Sequence, residues 1–297
     1  MDQPSSDGEV LRGNRRECAE AQLVLNSVGI SSSRRREGGV WILRVDPLVV
    51  TDAKEQLRLY HDENAEQRLV GIALLPARHG IIVGVVVYAF LLIGVAAVSQ
   101  PWGMGEDLAT VGAMHARSVM EGQWYRNFTA LMLHADIGHL LSNLLFGILF
   151  GVLASRRLGG GVAWLTIVVA GACGNLINAL TRPPDHSSIG ASTAVFAALG
   201  LLVADALHPM HHANSSRWKR HSPLIAGVVL LSLLGVGGPK TDVNAHVTGF
   251  LSGLVIGWLS CRVPDRLLGR GSVQSLAAAA AVALLAIAWR LALGKTP

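Results

Sequence analysis

Residues Ser187–Leu207 read SSIGASTAVFAALGLLVADAL, and this stretch decides how the remainder of the chain folds. From Ser192 onward it is an apolar run of sixteen residues. As a helix it rises ~1.5 Å per residue and reaches ~24 Å, against a hydrocarbon core of ~30 Å. The loop after it carries Arg217, Lys219 and Arg220, the basic set expected on the cytoplasmic side of a membrane. A helix too short to cross, anchored at Leu207 on that side, begins below the opposite surface. The SSIGAS segment must then dip into the membrane to meet it. Irregular backbone survives at that depth only when protein encloses it or when it lines a wet cavity. Gly190 lets the loop turn tightly and lets backbone approach a substrate. Ser192 therefore falls at a helix N-terminus in a cavity open to the outer side. The competing reading of Gly-Ala-Ser before an apolar run is an ordinary helix cap.

The composition agrees with a bilayer setting. Of 297 residues, 51% are hydrophobic and 15% charged, where a soluble domain carries ~25% charged residues. Residues 1–79 are polar; residues 80–297 are apolar runs separated by short loops. Seven spans are expected near Ile81–Val98, His139–Leu153, Val162–Leu180, Ser192–Leu207, Leu224–Val236, Ala245–Leu259 and Leu276–Leu293. The first run lies too deep in the chain for a cleaved leader, so residues 1–79 are expected to stay on the side of synthesis. Basic residues cluster in alternate loops, at Arg156 and Arg157, at Arg217, Lys219 and Arg220, and at Arg262, Arg266 and Arg270. This pattern sets the N-terminus in the cytoplasm and the C-terminus outside. The net charge of +5 follows that topology, so no nucleic-acid partner is expected. Cys18, Cys173 and Cys261 are far apart, without CxxC spacing. His134, His139 and His246 have neither an HExxH pattern nor a carboxylate or thiolate ligand beside them within the membrane. No disulfide, metal or cofactor is expected.

The N-terminal segment reads as a small α/β module. Glu17–Val28 has helical periodicity with Ala19, Leu23, Val24 and Ser27 on one face; Val40–Val45 reads as a strand; Thr51–Asn64 reads as a helix capped by Thr51 or Asp52. Ser31–Gly39, with its three arginines, reads as a turn or loop, and Pro76–Gly80 as the hinge into the membrane. The long loop from Ser99 to about Gly138 is half apolar, and its short segments read as interfacial or re-entrant helices.

Three clusters bear on chemistry. In AHVTGFLSGLVIG, His246 sits near the outer end of the sixth span, and ionisable residues inside spans are functional candidates. Gly249, Gly253 and Gly257 follow on about the same face, a small-residue stripe that lets another helix approach closely. Ala197 and Gly200 suit the fourth span as that partner. A serine hydroxyl is a weak nucleophile until a base takes its proton, and a Ser192–His246 pair on touching helices meets that demand. His246 also reads as a satisfied polar contact. Phe196, one turn below Ser192, either stacks on the imidazole or packs in the core. In HADIGHLLSNLL, His139 and Asn143 share a helix face. Hydrolysis of a peptide bond builds charge on the carbonyl oxygen, and preorganised donors are each worth ~10²–10³ in rate. The His139 and Asn143 side chains with the Ser192 N–H suit that task; an interhelical hydrogen bond is the plainer reading. His134 either supports this region or lines the water entry.

In order, Tyr125-Arg126, His134-x4-His139-x3-Asn143, Gly190-x-Ser192 and Ala245-His246-x2-Gly249-x3-Gly253 resemble the rhomboid family of intramembrane serine proteases, over roughly residues 80–260. The resemblance implies an all-α polytopic membrane protein with a six-helix core (80–260), a seventh span in 261–297, and a small soluble N-terminal α/β domain in 1–79. It implies a serine endopeptidase acting on transmembrane protein substrates in the bilayer of a bacterial inner membrane. Ser192 and His246 correspond to the catalytic dyad. His139, Asn143 and the Ser192 N–H correspond to the oxyanion site. Arg126 belongs to a loop-shaping motif, with His134, Gly190, Phe196, Gly249 and Gly253 in support. Three positions depart from the family pattern. Thr193 replaces a frequent Gly and would narrow the cavity or alter the turn. Tyr125 stands for a Trp, and Ser155 for a Glu that anchors the second span. Two other classes compete. An inactive rhomboid-like scaffold that binds membrane helices would lack the Ser or His, and a transporter would show internal repeats.

Overall fold

The computed structural model describes residues 8–69, 79–99, 105–208, 217–235 and 241–294. Two compact units divide the chain, Met1–Leu74 and Leu75–Pro297. Most of the expected hinge, residues 76–78, lies outside the described residues.

The N-terminal unit runs β1 (Glu9–Gly13), α1 (Arg15–Ser27), β2 (Ser32–Glu37), β3 (Val40–Val45), a 3₁₀ turn (Pro47–Val49) and α2 (Val50–Leu69). Its antiparallel sheet has the order β1-β3-β2. Three expectations need correction. The Ser31–Gly39 stretch is mainly strand, pairing from Ser32↔Val45 to Glu37↔Val40. Gly38 (φ +56°) and Gly39 (φ +91°) close the hairpin, because a two-residue hairpin turn needs positive φ. The arginine run is tolerated because β2 is an edge strand, where charge faces water and blocks further pairing. The buried face of α1 is Cys18, Ala21 and Leu25, while Leu23 is 71% exposed. The sheet selects the face, and the apolar residues of α1 are too few to announce it. Finally, α2 begins one residue earlier than expected, behind the turn that Asp46 caps by accepting from the Leu48 N–H at 2.9 Å. A capping box at Asn14 and Glu17 starts α1. Ala53 and Leu57 are buried as their spacing suggests, and the Tyr60 hydroxyl donates to Glu20 at 2.9 Å.

The larger unit begins with α3 (Ile81–Val98). Its long loop folds into α4 (Gly105–Gly112), β4 (Met114–His115), α5 (Ala116–Met120), α6 (Arg126–Thr129) and a 3₁₀ turn (Ala130–Met132). There follow α7 (Ile137–Leu158), α8 (Gly160–Thr181), β5 (Ser187–Ser188), α9 (Ser192–Leu207), α10 (Arg217–Gly235), α11 (Val243–Ser260), α12 (Asp265–Leu268) and α13 (Gly271–Leu293). Among the described residues, α3, α7, α8, α11 and α13 are long and apolar enough to cross a membrane, and α9 and His221–Gly235 are shorter apolar helices. The second span extends beyond His139–Leu153 at both ends. Asp136 caps it by accepting from the His139 N–H at 2.8 Å, and Arg156 and Arg157 remain in its last turn, a favourable place for cations.

The short helix α9 is the centre of the bundle. Its residues Thr193 to Leu201 are all buried, whereas α3 leaves Ile82, Val83 and Phe90 exposed on its outer side. In lipid there is little hydrophobic drive between helices, so close packing must hold them. Gly249 lies against the Thr193 carbonyl, Gly253 against that of Ala197, and Gly200 against that of Phe250, so that a Cβ on any of the three would collide with backbone. Thr193 does not enter the cavity. Its methyl fills the space left by Gly174 and Gly249. With Ser155 wholly buried, Arg157 anchors the end of α7 by pairing with Asp205 at 3.1 Å and Asp265 at 3.0 Å. The last helix docks through Gln274, which donates to the carbonyls of Leu158 (2.9 Å) and Leu268 (2.8 Å) and accepts from the Val162 N–H (3.1 Å).

Candidate active site

A cavity of about 680 Å³ opens among α7, α9 and α11, with Ser192, His246, His139, Asn143, Phe196 and Asp242 in its lining. Ser192 is the first residue of α9, and no side-chain cap hydrogen bond closes that helix. The N–H of such a residue has no intrahelical acceptor. The hydroxyl and the amide therefore begin the helix together, at the cavity wall.

The loop that delivers Ser192 is held from several sides. Ser187 and Ser188 pair with His115 and Met114 as a short antiparallel ladder. The Gly190 N–H donates to the Ala130 carbonyl at 2.9 Å. Gly190 has φ +137°, and a Cβ there would stand 2.6 Å from Cε1 and 2.8 Å from Nε2 of His139, and 3.3 Å from the Ser192 Oγ. The His139 ring thus lies flush against the backbone that precedes the serine. Asn143, one helical turn along, is 4% exposed. Its side-chain amide Nδ2 is buried with no hydrogen-bond partner among the described residues. Buried polar groups are nearly always paired, so an orphan donor on a cavity wall calls for an acceptor brought by something else. The His134 ring meets that of His139 edge-on at 5.3 Å. Burial and the neighbouring His139 push the His134 imidazole down to about 4, so the ring is neutral at physiological pH.

His246 is 7% exposed. Its Nδ1 lies 2.9 Å from the Gly235 carbonyl. A carbonyl only accepts, so Nδ1 carries the proton and Nε2 keeps a free lone pair. The Phe196 ring packs 4.5 Å from the imidazole, tilted by 36°, which fixes the ring from its face. Arg126 is remote from this chemistry. Its guanidinium donates to the carbonyls of Thr110 and Ala113, both at 2.9 Å, and to Gln123 at 2.6 Å, shaping the loop. Tyr125 is buried and its hydroxyl meets Gln123 at 3.1 Å.

Four neighbours of the site escaped sequence reasoning: Asp242, His186, Asn178 and Gly235. Asp242 caps α11 by accepting from the Ala245 N–H at 3.1 Å, and an Asp just ahead of a helical run was a legible signal. The other three sit in loops or helix ends that only tertiary structure brings to the site. Burial works to raise the Asp242 carboxyl. Hydrogen bonds from His186, Asn178, the Ala245 N–H and Ser188 outweigh it and hold the group below the usual carboxylate range.

A polar cavity set among several long apolar helices fits a polytopic integral membrane protein. Residues 121–263 match the model of the rhomboid domain. A putative rhomboid protease of Bacillus subtilis, YdcA, is 29% identical over 148 residues, covering 50% of this chain and 73% of that protein. Rhomboid-like protein 11, chloroplastic, of Arabidopsis thaliana is 33% identical over 159 residues, 48% of this chain and 54% of that one. Rhomboid protease GluP of B. subtilis is 29% identical over 150 residues, 50% of this chain and 28% of the other. The chain thus spans only part of the length of these relatives. Residues 121–263 thus resemble a rhomboid domain, and these relatives carry rhomboid names as well.

Proposed function

We propose that this protein is an intramembrane serine endopeptidase that cleaves membrane-spanning proteins, with Ser192 as nucleophile and His246 as its base. The observation that carries the reading is the Gly235 carbonyl at 2.9 Å from His246 Nδ1. It leaves Nε2 as the basic nitrogen in a cavity shared with Ser192, so no buried carboxylate is needed to set the tautomer. Nε2 takes the hydroxyl proton as Oγ attacks the scissile carbonyl carbon. The carbonyl oxygen gains negative charge and meets Asn143 Nδ2, the His139 ring and the Ser192 N–H. Collapse breaks the C–N bond, and His246 returns the proton to the leaving amine. Water, deprotonated by the same nitrogen, then hydrolyses the acyl-enzyme. The substrate chain must be extended to reach Ser192, because a helix hides its carbonyls in its own hydrogen bonds.

In this reading the chain crosses seven times in a bacterial inner membrane, with its N-terminus cytoplasmic, its C-terminus outside and the cavity open to the outer side. The names of the bacterial relatives support the activity. Purified protein in detergent, given a single-span substrate, is expected to cleave it, and Ser192→Ala is expected not to. Equal cleavage by both would remove Ser192 from its role. No cleavage by a well-folded wild type, across several substrates, would favour a helix-binding scaffold.

A further inference from the structure

At the outer rim of the cavity, three segments are tied together by one carboxylate. Asp242 Oδ2 accepts from Asn178 Nδ2 at 2.7 Å and meets His186 Nε2 at 2.8 Å. Oδ1 caps α11 through the Ala245 N–H. Asn244 Nδ2 donates to Asn178 Oδ1 at 2.6 Å and to Thr181 Oγ1 at 2.9 Å. The carbonyls of His186 and Pro184 accept from the amides of Ala116 and Arg117 at 2.9 and 3.0 Å. The end of α8, the loop before Ser192 and the start of α11 thus converge on Asp242, and the backbone of that loop carries α5 with it. Its side chain and that of His186 are 15% and 17% exposed, so water competes weakly for these bonds. Asp242 lies one turn ahead of His246 on α11, and His186 lies six residues ahead of Ser192 on the loop that delivers the nucleophile.

We propose that Asp242 is a positioning residue, a latch that holds the His186–Ile189 loop to the start of α11 and thereby sets Ser192 against His246. The proposal deepens the proteolytic reading and rests on it. The Ser192-bearing and His246-bearing segments are otherwise joined by close helix packing below the site, which leaves their outer ends free to part. A misplacement of ~1 Å at reacting atoms is worth ~10²-fold in rate, and the bonds of Asp242 to His186 and Ser188 are polar ties between the loop and α11 at that level.

The discriminating variant is Asp242→Ser. Serine caps a helix about as well as aspartate, so α11 keeps its start while the bonds to His186 and Asn178 are lost. In detergent micelles, amide hydrogen exchange over residues 183–190 is expected to accelerate at least ~10-fold. The kcat for a single-span substrate is expected to fall ~10–100-fold with KM within about twofold. His186→Ala is expected to do the same, and the double variant no more than either single one. Unchanged exchange overturns the latch, whatever the activity. Faster exchange with unchanged kcat overturns its role in positioning, as do losses that multiply in the double variant. Wild type and Ser192→Ala are assayed alongside. Cleavage that survives Ser192→Ala, or no cleavage by wild type, sinks the proteolytic reading and the positioning role with it, while the exchange result still decides the latch.

Discussion

Replacing Gly190 with alanine is the sharpest perturbation of the site. Two costs arise. The backbone sits at φ +137°, a region open to glycine and strained for other residues by ~1–3 kcal/mol. The new methyl would also stand 2.6 Å from His139 Cε1, where ordinary contact begins at 3.4 Å; the difference, 0.8 Å, is the shift the ring or the loop must make. The ring has little freedom, since the His134 ring packs against it at 5.3 Å and Asp136 fixes the backbone of its helix. Either the loop retreats and carries Ser192 with it, or the ring withdraws from the oxyanion position. Loss of one oxyanion donor costs ~10²–10³ in kcat, so turnover of a single-span substrate is expected to fall at least ~100-fold. Thermal unfolding in the same detergent reads the stability cost and separates it from turnover. A Gly190→Ala protein that keeps a rate within threefold of wild type would refute the reasoning. It would mean that the close approach of loop and imidazole does not set the rate.

Other consequences are open to direct measurement. Asn143→Ala removes the orphan amide, which is expected to lower kcat ~10²-fold while KM stays within about threefold, with little loss of stability because Nδ2 has no partner to forfeit among the described residues. Gly249→Val drives a side chain into the Thr193 carbonyl and is expected to lower the thermal midpoint and activity together, with ~1–3 kcal/mol of overpacking. For pH, Asp242 is held below its ordinary value of 3.8. Its bonds therefore add to stability above the ordinary range, and that contribution is lost as pH falls through the folded-state value. Wild type is expected to unfold at a higher temperature than Asp242→Ser at pH 7, with the gap closing below pH ~4; a gap independent of pH would contradict this.

The transmembrane half was legible because burial in lipid leaves a coarse signature. Apolar runs and alternating basic loops marked the helices, and the first and fourth spans begin and end where expected. The contact of Gly249 and Gly253 with α9 was readable because close helix approach demands small residues at fixed spacing. The N-terminal module was harder. Its edge strand Ser32–Glu37 consists of serines, arginines and a glutamate, with no alternation to reveal it, and only pairing with β3 makes it a strand. The place of His246 in the cavity was legible because such a residue type is costly in a membrane, and the close approach at Gly190 because it requires backbone freedom. The cavity was unreadable where its geometry rests on a backbone atom. Nothing in the identity of Gly235 announces that its carbonyl fixes the His246 tautomer. His186 likewise gains its meaning only when folding brings Asp242 beside it.

Activation of Ser192 by His246 is open to covalent labelling. Purified protein is treated with a fluorophosphonate, which phosphonylates activated serines with loss of fluoride, and the modified peptide is identified by mass spectrometry. A single adduct on Ser192 is expected, formed at neutral pH and lost in His246→Ala. An unlabelled Ser192 in protein that still cleaves its substrate, or labelling that persists without His246, would contradict that activation.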